Sequence, residues 1–364
     1  MSVALQKLRK KIDCLDESLL RLLNERARVV LEVGRVKNLQ KKEIYVPERE
    51  NLLLGRLLQK NKKTKGLFPE HAVRAVFGEI LSASRSLQSP LKVAYLGPEA
   101  TFTHLATMKY FGRSTDLVPE GSIAKVFDAV EHKRVVCGVV PIENSTEGIV
   151  GATLDCFHQS PLKIMAEVTL PIYHHLLSRA TRLKSVKRIY SHPQAIAQCR
   201  TWLDENVPNL PLLETDSTAR AAERAAEDPE AAGIAGEHAA EIYGLKILKR
   251  NLEDNPNNMT RFLVIGQRSP KASGGASVKD KTSLLFSVKD EVGILYRMLE
   301  PFYRYKINLS KIESRPLKKK AWEYIFFLDI EGHQEDRKVA LAIRDLQTQC
   351  QFIKVLGSYP KSAL

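Results

Sequence analysis

The residue that points most directly to chemistry in this 364-residue chain is Arg26. Leu5, Leu8, Ile12, Leu15, Leu19 and Leu22, then Val29, Val33 and Val36, recur at spacings of three and four, the rhythm of a helix seam. That rhythm calls for an apolar residue at 26. A guanidinium on a core stripe is costly unless an anion pairs with it, so Arg26 predicts an anionic partner. A later stripe, Phe77 and Ile80, continues onto Ser84 and Gln88, again placing polar groups where core is due. In the middle of the chain Thr101, Ser145 and Thr146 stand where helices begin. Each would serve as an ordinary N-cap, and free N–H groups at such ends bind anions.

Other chemistries lack their residues. No His-x-x-x-His or His-Glu-x-x-His spacing occurs, so no catalytic metal is expected. No Walker A loop, Gly-x-Gly-x-x-Gly or Gly-x-Ser-x-Gly occurs, which argues against ATP, NAD and hydrolase-elbow chemistry. The five cysteines (Cys14, Cys137, Cys156, Cys199, Cys350) are scattered without a Cys-x-x-Cys pair. A disulfide framework is disfavoured and a reducing, cytoplasmic setting fits. No apolar run approaches the ~18 residues of a membrane span. The net charge of +14 is concentrated, with 17 Lys/Arg against 8 Asp/Glu in residues 1–65. It fits either a basic surface for phosphate backbones or cations that hold small acids.

Three sets of elements must position these residues. The seam predicts a helix to about residue 40, roughly 55 Å long. Two shorter helices follow, one from Pro47 with Leu53, Leu57 and Leu58, one from near Pro69 with Val73, Val76, Phe77, Ile80 and Leu81. They are too short to cover the long stripe, so a second copy is expected to do so, as an intertwined dimer. From 90 to 268 strands and helices alternate. Strands are predicted at Lys92–Leu96, Val135–Val140, Val168–Leu177, Arg188–Ser191 and Arg261–Ile265, with Pro141–Gly148 as a loop and a helix from His192-Pro193 through Trp202. A mostly parallel sheet, with ligands at the strand C-terminal ends, is implied. Residues 269–281, including Ser269–Ser277, read as a linker. Beyond them come strand Thr282–Val288, helix Gly293–Arg304, strands Ile307–Ser314 and Trp322–Ile330, helix Asp336–Gln349 and strand Phe352–Tyr359. This βαββαβ order over residues 282–361 is ferredoxin-like.

Leu8-Arg9-x-x-Ile12-x-x-Leu15-Asp16, Asn24-Glu25-Arg26, Glu32-Val33-Gly34-x-x-Lys37, Pro47-Glu48-Arg49-Glu50 and Ser84-x-x-x-Gln88 together resemble the all-helical chorismate mutase family, over residues 5–88. The resemblance implies rearrangement of a dicarboxylate, chorismate, to prephenate. No nucleophile is needed; the protein holds the compact conformer and stabilises charge on the ether oxygen. It implies that Arg26 and Arg49 grip carboxylates, with Arg9 contributed by the partner subunit. Lys37 and Gln88 would bond the ether oxygen, and Glu50 and Ser84 would orient the hydroxyl and its neighbours. Val46 stands where some relatives carry an acidic residue.

The motifs Ala94-Tyr95-Leu96-Gly97-Pro98-Glu99-x-Thr101-Phe102, Pro141-Ile142-Glu143-Asn144-Ser145, Ser191-His192-Pro193-Gln194-x-x-x-Gln198-Cys199 and Asn257-Asn258-Met259-Thr260-Arg261-Phe262 resemble prephenate dehydratase. The resemblance implies two α/β lobes around a cleft, periplasmic-binding-protein-like, and loss of water and carbon dioxide from prephenate to give phenylpyruvate. Thr260 is then the hydroxyl donor to the leaving group, polarised by Arg261 or a helix terminus. Thr101, Glu143, Asn144, Ser145, Ser191, Gln194, Gln198 and Arg261 would bind or support the substrate. Ala100, where relatives usually carry Gly, is expected to be a minor change. No cofactor is implied. Residues 282–361 resemble the ACT regulatory module, with Lys311-Ile312-Glu313-Ser314-Arg315-Pro316 matching the dehydratase subgroup. This implies phenylalanine as allosteric effector, near Gly293, Ile294, Leu295, Glu313, Ser314, Arg315 and Pro316. Relatives carry Pro-Gly-Ala-Leu where this chain has Val292-Gly293-Ile294-Leu295.

The expectation is a multidomain enzyme of phenylalanine biosynthesis, a homodimer or higher homo-oligomer. It has an all-α domain over 1–88, a two-lobed α/β domain over 90–268 and an α+β domain over 282–361. Neither metal, nucleic acid nor membrane is expected as a partner. Two alternatives stay open: an amino-acid-sensing regulator on DNA, and a dehydratase with a vestigial helical dimeriser or a preference for arogenate. Lysines 41, 42, 60, 62, 63 and 65 read as solvated charge.

Overall fold

A computed structural model describes residues 3–40, 45–272, 279–316 and 324–362. Lysines 41 and 42, linker residues 273–278 and the first two residues of the strand expected from Trp322 lie outside the described residues. The chain forms two compact units, Met1–Leu91 with Phe111–Asp116, and Lys92–Tyr110 with Leu117–Leu364.

The first unit is built on three helices, Val3–Leu39, Pro47–Lys63 and Glu70–Gln88. Pro47 sits in a first turn, where its missing N–H is not needed. Glu48 and Glu50 lie at the positive end of that helix and Lys60, Lys62 and Lys63 at its negative end. The N-terminal part of the seam is open: Leu8, Ile12, Leu15 and Leu19 are 56–60% exposed. Full burial of one such side chain stabilises by about 1.5–3 kcal/mol, so one chain leaves a large stabilisation unused on this helix. No helix among the described residues is long and apolar enough to cross a membrane.

The second unit holds three sheets. In the first, Asp116–Glu120, Lys92–Leu96, Cys137–Asn144, Met259–Gly266 and Lys163–Pro171 lie side by side in that order. Lys92–Leu96 and Cys137–Asn144 are parallel, but Met259–Gly266 runs antiparallel to both its neighbours. The mostly parallel sheet expected from the sequence is therefore corrected to a mixed one, because a late strand returns between two earlier ones. Its pairing also explains why Pro141–Asn144 is strand rather than loop: Thr260 lies opposite Asn144 and Arg261 opposite Glu143. The second sheet orders Lys246–Lys249, His175–Ser178, Ala231–Ala235, Arg188–Ser191 and Leu212–Glu214. The single strand expected over Val168–Leu177 is two, Lys163–Pro171 and His175–Ser178, one in each sheet. The chain passes from one lobe to the other between them. The helix expected through Trp202 is divided at Cys199 into Pro193–Gln198 and Arg200–Asn206.

The third sheet orders Leu309–Pro316, Tyr324–Glu331, Asp280–Val288 and Cys350–Pro360, with helices Ile294–Arg304 and Arg337–Gln347 in βαββαβ sequence. Leu285, Phe327, Leu356 and Tyr359 from this sheet pack with Val126, Val140, Leu263 and Ile265 around the first sheet in one core. Gly293, just before Ile294–Arg304, has φ +78°, a left-handed conformation that glycine adopts without strain. Ala100 has φ +67° and is 1% exposed. That explains a preference for glycine there, and its methyl costs about 1–2 kcal/mol in backbone strain, more than the minor change expected.

Candidate active sites

In the helical unit the polar breaks in the stripes meet. Arg26 donates to Ser84 Oγ. Ser84 donates to the Ile80 carbonyl at 2.5 Å, and the Gln88 amide reaches the Ser84 carbonyl at 3.4 Å. Gly34 permits this approach, since a Cβ there would lie 3.1 Å from Gln88 Cγ. Burial lowers the pKa of both Arg26 and Lys37; Arg49 adds to that effect at Lys37, and Glu50 opposes it at both. Arg26, Lys37, Arg49 and Glu50 thus share one electrostatic neighbourhood. Glu50 is already paired with Arg85 at 2.5 Å, so the surrounding cations outnumber their anion. A half-buried excess of cations is suited to a dianion. Arg9 precedes Arg26 by 17 residues on the same helix, about 25 Å away along its axis, and so stands apart from this pocket of its own chain.

The central site lies where Cys137–Asn144 and Met259–Gly266 end side by side. Asn144 Oδ1 accepts the backbone N–H groups of Thr146 and Glu147 at 2.9 and 3.0 Å. Its Nδ2 must then carry the hydrogens that point to Thr260 Oγ1 and Asn258 Oδ1, both at 2.8 Å. Thr260 Oγ1 is therefore an acceptor toward Asn144, and its own hydrogen is left for another partner. A hydroxyl that accepts one hydrogen bond donates a stronger one. Ser145 staples the loop by accepting from the Met259 N–H at 2.9 Å and donating to the Asn257 carbonyl at 3.3 Å. Gln194 and Gln198, on the helix Pro193–Gln198 of the other lobe, donate to Glu147 at 3.5 and 3.2 Å.

Four expected contacts fall elsewhere. Arg261 does not polarise Thr260. Adjacent residues of a strand face opposite ways, and the Arg261 guanidinium meets Asp329 at 2.5 Å, Glu167 at 3.3 Å and Glu143 at 3.4 Å. Burial alone would lower its pKa, but Asp329, Tyr359 and Glu167 outweigh that and raise it. Glu143 turns the same way and pairs with Lys311 at 2.5 Å. Ser191 is fully buried and donates to the Ile234 carbonyl at 3.0 Å. Thr101 Oγ1 donates within its own loop, to the Pro98 and Leu96 carbonyls, and caps the His104 N–H.

On Leu309–Pro316 exposure alternates. Lys311 and Arg315 face the central domain, where Arg315 pairs with Asp155 at 3.1 Å and lies over Gly151. Ser314 and Pro316 are exposed. The run expected to hold one effector is thus divided between two faces, and its arginine is an interdomain contact. Ile294 packs into the C-terminal core, while Val292 and Leu295 beside Gly293 are exposed. Among the described residues no group of three or more His, Cys, Asp or Glu is placed to hold a metal.

Residues 8–89 match chorismate mutase type II, residues 93–270 prephenate dehydratase and residues 282–347 the ACT domain. A bifunctional chorismate mutase/prephenate dehydratase of Aquifex aeolicus is 50% identical over 361 residues, 99% of each chain. The chain belongs to the bifunctional chorismate mutase/prephenate dehydratase family. Among solved structures, prephenate dehydratase from Arthrobacter aurescens in complex with L-Phe is 34% identical, with a TM-score of 0.67, covering 74% of this chain and 90% of that one. A protein described as GqqA, a novel type of quorum quenching acylase, is 30% identical with a TM-score of 0.67, over 74% and 98% of the two chains.

Several residues in the clusters of both units escaped the sequence. Asn258, His174 and Glu147 join the Thr260 network; Glu167, Lys281 and Asp329 surround Arg261; Arg85 holds Glu50. Asn258 stood inside a quoted motif. The others carry no local pattern, because their partners lie 24 to 114 residues away.

Proposed function

We propose that the helical domain, residues 1–88, converts chorismate to prephenate, and that residues 90–268 convert prephenate to phenylpyruvate. The domain over 282–361 binds phenylalanine as a feedback effector. The observation that carries the dehydratase assignment is the direction of the Asn144–Thr260 hydrogen bond, which leaves the Thr260 hydrogen free. In this reading prephenate lies in the cleft of a two-lobed, periplasmic-binding-protein-like domain. Its carboxylate leaves as carbon dioxide, the electron pair moves into the ring, and the 4-hydroxyl departs as water on a proton delivered through Thr260 and resupplied by solvent. In the helical domain Arg26 and Arg49 hold the two carboxylates of chorismate, and Lys37 and Gln88 bond the ether oxygen as charge grows there. The exposed seam and the distance of Arg9 from Arg26 support an intertwined dimer in which Arg9 of the partner subunit completes the pocket.

The test is a pair of assays on one protein. Thr260→Ala should lose at least about 100-fold in prephenate turnover, the scale of one lost proton donor, with chorismate turnover unchanged. Equal loss of both activities, or no loss of dehydratase activity, refutes the assignment. Running arogenate beside prephenate identifies the preferred substrate.

A further inference from the structure

Two buried polar side chains beside the cleft have no role in the assignments above. Asn258 is 1% exposed and His174 is 3% exposed, and His174 Nδ1 has no hydrogen-bond partner among the described residues. The bonds around them can be read with their direction because both ends of the network are fixed. At one end, two backbone N–H groups on Asn144 Oδ1 turn Asn144 Nδ2 toward Asn258 Oδ1 and Thr260 Oγ1. At the other, the Glu147 carboxylate takes Gln198 Nε2 at 3.2 Å. Gln198 Oε1 then faces Asn258 Nδ2 at 2.9 Å and His174 Nε2 at 3.1 Å. An amide oxygen only accepts, so His174 carries its hydrogen on Nε2. Reversing any one amide would set like groups face to face.

The chain crosses the cleft. Asn144, Glu147, Asn258 and Thr260 belong to the lobe of the first sheet; His174 and Gln198 belong to the lobe of the second, His174 directly preceding the strand His175–Ser178. The His174 backbone is pinned as well, its N–H donating to Glu253 at 2.8 Å and its carbonyl accepting from Leu252 at 2.8 Å. We propose that Asn258 and His174 are positioning residues of the dehydratase site. Through Gln198 they form a directed hydrogen-bond chain that holds the two lobes together at Thr260 and keeps the Thr260 hydrogen pointed at substrate. This rests on the reading of Thr260 as proton donor. Burial, opposed by the Gln198 bond, holds the His174 pKa at about 4, so the imidazole stays neutral in the working range.

Asn258→Asp preserves shape but sets an oxygen against Gln198 Oε1. The new carboxylate would face Glu147 through Gln198 and neutral His174 beyond it; Arg261 is on the opposite strand face. In the full-length protein this variant should lower kcat/KM for prephenate about 10- to 100-fold at pH 8, the scale of one buried group left unsatisfied. Relative to wild type, the deficit should shrink as the pH falls toward 5, because a protonated carboxyl can donate again. His174→Gln, which retains an N–H donor, should lose less than His174→Phe, and the loss should appear in kcat more than in KM. Chorismate turnover, read on the same samples, reports intact folding. A deficit in Asn258→Asp that ignores pH, or equal losses in the two His174 variants, overturns the chain. Dehydratase activity retained in Thr260→Ala would overturn the underlying reading instead, since the chain would then have nothing to position.

Discussion

Asp329→Asn probes the ion cluster on the far side of the Thr260 strand. The Asp329 side chain is fully buried, holds Arg261 at 2.5 Å, accepts from Ser283 Oγ at 2.5 Å and lies 3.8 Å from Lys281. Around it Arg261, Lys281 and Lys311 meet Glu143, Glu167 and Asp329, and Lys311 also lies 3.9 Å from Glu313 at the edge of the cluster. The substitution keeps the shape and removes the nearest counter-charge of the buried Arg261. Unit charges about 4 Å apart attract by about 4 kcal/mol at an effective dielectric of about 20. Removing one member of a buried pair costs about 3–5 kcal/mol, because its partner stays desolvated. Urea unfolding followed by far-UV circular dichroism should therefore show a loss of about 3–5 kcal/mol. Arg261→Met should lose a similar amount, and the double variant should lose less than the sum, with a coupling of at least about 2 kcal/mol. Because the C-terminal sheet and the first sheet share one core, the loss should appear in one transition for both domains. An unchanged midpoint, or additive losses, would refute the claim that this pair anchors the strand carrying Thr260.

Arg26→Ala should lower chorismate turnover at least about 100-fold, the scale of a lost charge-assisted bidentate contact, with prephenate turnover intact; retained mutase activity would refute the seam argument. Leu15→Glu combined with Leu19→Glu should reduce the sedimenting mass of the protein and abolish mutase activity, since it sets carboxylates on the uncovered seam; an unchanged mass would place the oligomer interface elsewhere. His174 makes stability depend on acid. Its folded pKa of about 4 lies below the ordinary 6.5, so the unfolded chain binds a proton first and stability falls as the pH drops from above 6.5 toward 4, by about 3 kcal/mol. Burial depresses His104, His175 and His238 in the same direction. Wild type should therefore lose more stability between pH 8 and pH 5 than His174→Gln, as read from urea midpoints; equal losses would count against a neutral buried imidazole.

Much of this was legible from local pattern. Three-and-four spacing along residues 5–36 marks a helix whatever surrounds it, and it puts the Arg26 cation on the apolar stripe, because both follow from 3.6 residues per turn. The βαββαβ order of the C-terminal domain is legible for the same kind of reason, since strand and helix periods differ. Motif resemblance named Thr260 and Asn144 separately, and the structure brings them to 2.8 Å. The resemblance misplaced Arg261, treating chain neighbours as neighbours in space, although a strand turns successive side chains to opposite faces. It likewise took Arg315 and Ser314 as one group.

What the sequence by itself determined, then, is what short-range periodicity and residue chemistry can encode: most helices and strands, the cation on the seam and a hydroxyl beside a polar loop. The direction of the Asn144–Thr260 bond, the cross-lobe route through Asn258, Gln198 and His174, and the closure of Arg261 onto Asp329 were decided only by the tertiary structure. These contacts join residues 24 to 116 positions apart. Their hydrogens are assigned by neighbours that only folding brings within 3 Å or so of one another, and no spacing along the chain carries that information.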